Sequence, residues 1–384
     1  MNNFDILASR KGTNSYKWDT IKDGELPMFI ADQDFLCFKP IFDTLERDIK
    51  TQAYGYTYVP DDYFRAYHNW FLKRYNVDYD INKMQFSEGV VATISSCVRH
   101  LLNRGDKVTV LTPVYNIFYN SILNNGCKVV ECALVNNNYN YMVDFESLED
   151  CLKQSKMMIL CNPQNPVGKI FSKEELAKIG ELTRKYNCIL ISDEIHCDFV
   201  TKKELFNAYL SASPDNIHNS IICIAPSKTF NIAGLKSSVV YVNDDDLRYK
   251  VQRAINTDEV AEPNMFAINP VIAAYNEGGD YVDQMNEYIY QNKLIVQKFL
   301  KENLPHVGFK LQDSLYLVWL DLRYYSNHSL QEYIRENSGL ILSDGEVYGY
   351  GGLGFVRMNL ATSKENVIDG LNRLKASLDS LVKN

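Results

Sequence analysis

Lys228 is a lysine at a position where it could do chemistry. It lies in the segment Ala-Pro-Ser-Lys-Thr-Phe, between small residues and soon after the apolar run of residues 221–224. A single lysine is usually a solvated surface charge, and that interpretation would hold for Lys228 taken alone. Burial and nearby positive charge, however, would lower its pKa and supply the neutral amine that Schiff-base chemistry needs.

Asp193 is a second candidate, because it ends the apolar segment Ile-Leu-Ile-Ser-Asp. An isolated aspartate at such a place is usually a helix N-cap or a loop carboxylate. Since the residues before it are too apolar to be exposed, its carboxylate should be buried and should need a cationic partner. The nitrogen of a protonated pyridine ring would serve, and that ring could then accept the electrons of a carbanion.

Three more side chains follow predicted strands. Asn165 lies in Asn-Pro-Gln-Asn-Pro-Val-Gly, whose composition predicts a turn that would aim its amide at an acceptor. Tyr115, in Thr-Pro-Val-Tyr, could lie flat on an aromatic ligand, although packing is the usual role of a tyrosine. Arg357, in Gly-Phe-Val-Arg-Met, could hold a carboxylate through two hydrogen bonds or form an ordinary surface ion pair.

Gly89 begins an amphipathic segment that reaches about residue 102. The N-terminus of such a helix offers free N–H groups and the positive end of a dipole to a phosphate. One glycine is weak evidence by itself, and the surrounding residues match neither the dinucleotide-binding glycine pattern nor a Walker A sequence. We therefore interpret this helix start as a candidate phosphate site of another kind.

Apolar runs typical of buried strands precede these polar residues. The runs are residues 108–111, 157–161, 188–191 and 221–224. Between two of them, Ser172 and Glu175 predict a capping box that begins a helix ending near residue 187. This alternation predicts an α/β fold in which a mostly parallel central sheet is sandwiched by helices. Ligands bind beyond the carboxyl ends of such strands, where Asn165, Asp193 and Lys228 are expected.

The pattern changes after about residue 275, which predicts two domains. The later segments are a helix at 281–303, strands at 315–320 and 355–358, and a final helix at 364–382. We predict a large domain of residues 46–275 and a smaller α+β domain of residues 276–384. The irregular, aromatic residues 1–45 should pack against the smaller domain.

Composition argues against several classes of function. The 384 residues are 46% hydrophobic and 23% charged, as in an ordinary globular protein. A formal net charge of −8 argues against nucleic acid as a partner. No apolar run approaches the roughly 20 residues of a membrane span, and the N-terminus does not resemble a secretory signal. The nine cysteines are scattered without a Cys-x-x-Cys pair, so we expect reduced thiols, no metal site and a cytoplasmic location.

The order of these motifs resembles that of fold-type I enzymes, which depend on pyridoxal 5′-phosphate (PLP) and include the class I/II aminotransferases. The motifs are Asn-Pro-x-Asn-Pro-x-Gly, then Ser-Asp-Glu, then Ser-Lys-x-Phe and a late Val-Arg. All the residues that carry the resemblance together span 87–359. Finer details are similar to the cystathionine β-lyase branch, also called C–S lyases. These include Ser-Asp-Glu-Ile-His, Ser-Lys-Thr-Phe-Asn-Ile-Ala-Gly-Leu, Gly-Phe-Val-Arg-Met-Asn and Ala-Asp-Gln-Asp-Phe at residues 31–35.

The resemblance implies a role for each matching residue. Lys228 would be joined covalently to the cofactor and would then act as the acid–base group, while Asp193 would pair with the pyridine nitrogen. Arg357 would bind the α-carboxylate of a small amino-acid substrate. The other implied cofactor contacts are Asn165, His196 and Tyr115 on the ring, Val90, Val91, Ser227 and Lys236 at the phosphate, and Tyr56 of the partner subunit in a homodimer.

Three positions depart from the pattern of that family. Ala225 stands where many relatives have a phosphate-binding serine, and Lys236 stands where aminotransferases often have a phosphate-binding arginine. Lysine supplies charge but not the fork of an arginine, so these departures bear on the phosphate contacts. Gln33 stands where methionine is frequent.

The implied activity is α,β-elimination from cystathionine, cysteine and related S-conjugates, giving a thiol, pyruvate and ammonia. A Cβ–S bond suits this reaction because thiolates leave far more readily than hydroxide. An aminotransferase would use the same lysine, aspartate and arginine, and no single residue decides between the two. A third interpretation, from another class, is a regulatory protein that binds a protein partner with the surface of this scaffold.

Overall fold

The structure is a computed structural model, and it describes residues 2–382. Its α-helices are α1 Lys39–Ile49, α2 Asp61–Tyr75, α3 Val90–Leu101, α4 Ile117–Leu123, α5 Phe145–Leu152, α6 Lys173–Lys185, α7 Tyr209–Ala212, α8 Asp245–Thr257, α9 Asn269–Glu277, α10 Gly279–Asn303, α11 Gln331–Ser338 and α12 Lys364–Val382. Its β-strands are β1 Leu26–Pro27, β2 Met84–Ser87, β3 Lys107–Thr112, β4 Lys128–Ala133, β5 Val135–Asn137, β6 Asn140–Met142, β7 Met157–Cys161, β8 Ile189–Asp193, β9 Ser220–Ile224, β10 Ser238–Tyr241, β11 Leu317–Asp321, β12 Leu340–Ile341, β13 Ser343–Asp344 and β14 Phe355–Asn359.

The central sheet is mostly parallel, as predicted. Its strand order is β2-β10-β9-β8-β7-β3-β4. Strand β10 runs antiparallel to both of its neighbours, and the pairs from β9 to β4 are parallel. Strands β7 and β9 are buried along their whole length, and so is most of β8. This burial explains why they are continuous apolar runs rather than alternating ones.

Helices cover both faces of the sheet, which confirms the predicted sandwich. One core cluster packs residues of α3, α4 and α8 against one face, and includes Ile94 and Val251. The other cluster packs α2, α5, α6 and α9 against the opposite face, and includes Leu176 and Tyr275. Helix α6 begins with the predicted capping box, in which the side chains and main chains of Ser172 and Glu175 bond each other reciprocally.

A second sheet lies in the C-terminal part of the chain. Its antiparallel strand order is β11-β14-β13, and β12 pairs in parallel with β1 from the N-terminal segment. A separate core cluster joins Leu26 and Met28 to residues of α10, α11 and α12. The predicted boundary between residues 45 and 46 falls within α1, and the domain division stays a prediction. In residues 2–382, no helix is both long enough and apolar enough to cross a membrane.

Asp193 ends β8 at the carboxyl edge of the central sheet. In the strand register it lies opposite Cys161 of β7 and Cys223 of β9. The Asn165 loop follows β7, and Lys228 follows β9 by four residues. Because the strands are parallel, these separate segments converge at one edge.

Candidate active site

A cavity of about 520 Å³ opens at this carboxyl edge. Its lining residues come from the starts and ends of several elements and include nearly all the predicted site residues. These are Val90, Val91, Tyr115, Asn165, Asp193, His196, Ser227, Lys228 and Lys236. The structure therefore brings together residues that are up to 146 positions apart in the sequence. Tyr56 and Arg357 do not belong to this lining.

The amine of Lys228 is held inside the cavity. Its Nζ donates a hydrogen bond to the main-chain O of Ala31 at 2.7 Å. Burial lowers the pKa of this amine, and the carboxylate of Asp32 opposes that effect; the charge of Arg357 lowers the pKa further. Lys228 thus has the surroundings that favour a neutral, nucleophilic amine.

The carboxylate of Asp193 lies on the same cavity and is only 4% exposed. Its Oδ1 accepts the N–H of Ile195 at 3.1 Å. Burial raises the pKa of this carboxyl to about 7, although the Ile195 hydrogen bond and the charge of Lys228 act in the opposite direction. Among residues 2–382, no cationic side chain lies within 4.0 Å of it, so the site offers a buried acid that lacks its cation.

Arg357 contacts the cavity lining through Asn165. Its Nη1 donates to Oδ1 of Asn165 at 3.0 Å, and its Nη2 donates to the main-chain O of Phe29 at 2.9 Å. Its guanidinium carbon lies 5.1 Å from the ring centre of Tyr348, which adds a cation–π contact. Its Nε has no hydrogen-bond partner among the described residues, although the side chain is buried. Arg357 therefore retains donors for an anionic ligand.

His196 and Tyr115 are the aromatic members of the lining. His196 is 3% exposed, and burial lowers its pKa well below the ordinary value, so its ring is neutral. Its Nδ1 has no hydrogen-bond partner in the part of the chain that the structure describes. Burial raises the pKa of Tyr115 to about 12, which keeps the phenol protonated. Both side chains can therefore contact an aromatic ligand without carrying charge.

The first turn of α3 forms one end of the cavity. Gly89 is its N-cap and has no side chain to occupy the free N–H groups of Val90 and Val91. Ser227 and Lys236 line the same cavity. A helix N-terminus with a hydroxyl and an ammonium nearby is suited to a phosphate or another anion.

Tyr56 is fully exposed in this chain and lies outside the cavity lining. Its neighbours Tyr54 and Tyr58 are also exposed. The role implied for Tyr56 required a second subunit, and it stays a prediction.

Sequence reasoning gave no role to the segment of residues 29–34, which contacts Lys228 at two points. Ala31 accepts the hydrogen bond from its amine, and the side chain of Gln33 donates to its main-chain O at 2.6 Å. Asn359 holds the same segment by donating from Nδ2 to the main-chain O of Ile30 at 2.7 Å. The resemblance at residues 31–35 was the available signal, but it did not indicate what the segment does.

The fold and the lysine-centred cavity define the class of protein. The fold is that of the fold-type I transferases, and the cavity lies at the carboxyl edge of the sheet, where α/β proteins bind ligands. The sequence model of the family "Aminotransferase class I and II" matches residues 43–374, and the chain belongs to that family.

Individual relatives place the chain within that family. It is 37% identical to cystathionine beta-lyase PatB of Bacillus subtilis, over 98% of this chain and 100% of the relative. The PLP-bound putative aminotransferase of Clostridium difficile 630 is similar in structure with a TM-score of 0.95 and 33% identity, over 98% of this chain and 100% of that one. Cystalysin of Treponema denticola, whose crystal structure contains pyridoxal 5′-phosphate, has a TM-score of 0.94 and 29% identity, over 99% and 100%.

Proposed function

We propose that this protein is a PLP-dependent C–S lyase. It would eliminate a thiol from cystathionine and related cysteine conjugates, and one water molecule would hydrolyse the remaining three-carbon unit to pyruvate and ammonia. The observation that carries the proposal is that a lysine amine and a buried carboxylate without a cationic partner line one cavity, and that Arg357 bonds Asn165 of the same lining. The family match and the relatives named as lyases support the choice of reaction.

The cavity fits pyridoxal 5′-phosphate through the chemistry of its donors. Asp193 lacks a cation, which the protonated ring nitrogen would supply. His196, whose Nδ1 has no partner among the described residues, and Asn165 both line the cavity and would be the partners of a ring hydroxyl. Val90, Val91, Ser227 and Lys236 would hold the phosphate at the start of α3.

The cofactor, when bound, supplies an aldehyde that captures amino groups and a protonated ring that takes up electrons. Asp193 keeps a proton on the ring nitrogen, because an ion pair in a buried site favours the charged forms of both partners. Lys228 Nζ removes the proton from the substrate Cα, for which it must be neutral. Its lowered pKa puts more of the amine in that form near neutral pH.

Arg357 would bind the substrate α-carboxylate and so orient Cα toward Lys228. Asn165 holds its Nη1 and the main chain of Phe29 holds its Nη2, which fixes the plane of the guanidinium. The remaining N–H groups can form a charge-assisted contact to a carboxylate. Substrates without an α-carboxylate are therefore expected to react poorly.

Incubation with L-cystathionine alone tests the lyase assignment. Pyruvate should form without any added keto acid, and the Lys228→Ala variant should form none. If product appears only when a keto acid acceptor is supplied, the protein is an aminotransferase and the lyase proposal is wrong. A visible absorption band of the purified protein that borohydride removes would support the cofactor independently of turnover.

We also propose a homodimer in which Tyr56 of the partner subunit completes each site. Its full exposure in one chain is what this arrangement requires. A mixture of Tyr56→Ala and Lys228→Ala subunits should regain activity, because one site of the mixed dimer would have both native residues. No recovery after verified subunit exchange would contradict the arrangement.

Binding of a regulatory protein partner stays a separate proposal with no contact in the described residues to support it. A Lys228→Ala protein that loses turnover but keeps a cellular phenotype would favour that role. Loss of both together would favour catalysis as the whole function.

A further inference from the structure

Gln33 has a buried side-chain amide that donates hydrogen bonds to the main chain at Lys228. Its side chain is 1% exposed, and its Nε2 donates to the main-chain O of Lys228 at 2.6 Å and of Thr229 at 3.3 Å. Asn231 fixes Gln33 in turn: its Oδ1 accepts the N–H of Gln33 at 3.1 Å, and its Nδ2 donates to the O of Gln33 at 2.9 Å. The amide thus has a defined orientation relative to residues 228–231.

One short stretch, residues 31–33, therefore holds Lys228 at both ends. Ala31 accepts the hydrogen bond from Nζ, and Gln33 donates to the main-chain O of the same lysine. A side chain with four rotatable bonds is otherwise poorly positioned, so two fixed points restrict where the amine can lie. The geometry of the amine then depends on the position of the stretch.

The same stretch is attached to strand β14, which carries Arg357. Asn359 donates from Nδ2 to the main-chain O of Ile30 at 2.7 Å and of Asp32 at 2.6 Å. Arg357 itself donates to the main-chain O of Phe29 at 2.9 Å. The residue proposed to bind the substrate carboxylate and the residue proposed to move its proton are thus joined through residues 29–33.

We propose that Gln33 is a positioning residue that couples the position of the Lys228 amine to the position of Arg357. It acts through the main chain of Lys228 and contacts neither substrate nor cofactor. The proposal rests on the proposed function of Lys228. It predicts that Gln33 matters for turnover and for the protonation of the amine, and much less for substrate affinity.

The effect on protonation has a definite sign. Charged groups face the amine from three elements: Asp32 from the N-terminal segment, Asp193 from β8 and Arg357 from β14. The O of Ala31 accepts a hydrogen bond from the amine, and a bond to the charged form favours that form. If Gln33 no longer holds the stretch, this bond should weaken and the pKa of Lys228 should fall.

The Gln33→Met variant removes the donor while nearly preserving side-chain length. We expect kcat to fall roughly tenfold, as for a small misplacement of a catalytic group, with KM changed less than about twofold. The acidic limb of the kcat profile, which reports the base in the substrate complex, should move to lower pH. The absorbance titration of the bound cofactor should also shift its midpoint by about half a pH unit or more.

Two companion variants separate positioning from general destabilisation. Asn231→Gly keeps Gln33 but removes the two side-chain atoms that bond its main chain, and glycine suits the φ of +57° at position 231. It should change kcat and both pH measurements in the same direction. Asn219→Leu is the matched control, since Asn219 also donates its amide to a buried main-chain O, that of Cys188 at 2.7 Å, but lies before β9 at the opposite edge of the sheet.

The control should lower thermal stability without moving kcat or either titration. If Gln33→Met only lowers stability as the control does, Gln33 is structural and the proposal is overturned. A loss confined to KM would overturn it as well. If instead the native protein has no borohydride-reducible adduct at Lys228, the proposed function itself fails, and that result is independent of every Gln33 variant.

Discussion

Asp193→Asn should stabilise the cofactor-free protein at neutral pH while it destroys activity. Burial raises the pKa of this carboxyl from 3.8 to about 7. A raised pKa means that the folded protein favours the protonated acid, so stability present below pH 3.8 is lost as the pH rises to about 7. The shift is roughly three units, and at about 1.4 kcal/mol per unit the loss above pH 7 is ~4 kcal/mol. The side chain is almost fully buried, so solvent screening does not reduce this figure much.

Urea unfolding of the cofactor-free protein and of the variant at pH 5 and pH 8 measures this loss. Asparagine does not titrate, so the difference in unfolding free energy between variant and native protein isolates Asp193 from Glu194, whose pKa burial also raises to about 7. Between pH 5 and pH 8 the difference should grow by ~3 kcal/mol in favour of the variant.

A matched control, Asp78→Asn, makes the same change of acid to amide at a side chain that is 79% exposed. The Asp193→Asn difference is compared with that of this control at both pH values. If the Asp193→Asn difference stays constant within about 0.5 kcal/mol over the same range, the carboxylate is not an uncompensated buried charge, and the reasoning that assigns it a cationic ligand group is wrong. Added PLP should restore the stability of the native protein at pH 8 far more than that of the variant.

Three further outcomes follow from the same contacts. Lys228→Ala should abolish pyruvate formation and leave no borohydride-reducible adduct, as peptide mass spectrometry would show. Arg357→Lys should raise KM for cystathionine about 10- to 100-fold, because a lysine cannot reproduce the charge-assisted contacts of a guanidinium. Steady-state kinetics would measure this, and an unchanged KM would contradict it. Asn165→Asp should also raise KM, since its carboxylate would pair with Arg357 at the 3.0 Å contact and compete with the substrate; an Asn165→Asp KM below that of the native protein would contradict this.

Much of the fold could be predicted because its strands are buried on both faces. Continuous apolar runs located β3, β7, β8 and β9 to within a residue or two, and the capping box located α6. Boundary errors have local causes. The strand predicted from residue 315 begins at Leu317, because Leu315 has a φ of +62°, which no β-strand accommodates. Helix α6 ends at Lys185, before Asn187 at a φ of +52°.

The candidate site also contains residues that could be predicted from the sequence and contacts that could not. Lys228, Asp193 and Asn165 could be placed because each follows a predicted parallel strand, and the carboxyl ends of such strands meet at one edge. The hydrogen bond from Gln33 to Lys228 could not be predicted, because it joins residues 195 positions apart and Gln33 lies in an irregular segment with no periodicity. Arg357 was predicted to bind a carboxylate, but sequence alone did not indicate that its guanidinium would donate hydrogen bonds to Asn165 and to the main chain of Phe29.

The site holds its acid and its base apart. Lys228 and Asp193 line one cavity, yet the amine donates its hydrogen bond to the main-chain O of Ala31 and not to the carboxylate. A direct ion pair would raise the pKa of the lysine and lower that of the aspartate, which is the reverse of what burial does to each. The amine would then be a poorer nucleophile and the acid would no longer need a cation. By bonding the amine to a neutral acceptor, Ala31 keeps the lysine from pairing with Asp193, so that a single aldehyde-bearing pyridine ring could engage the amine and the carboxylate together.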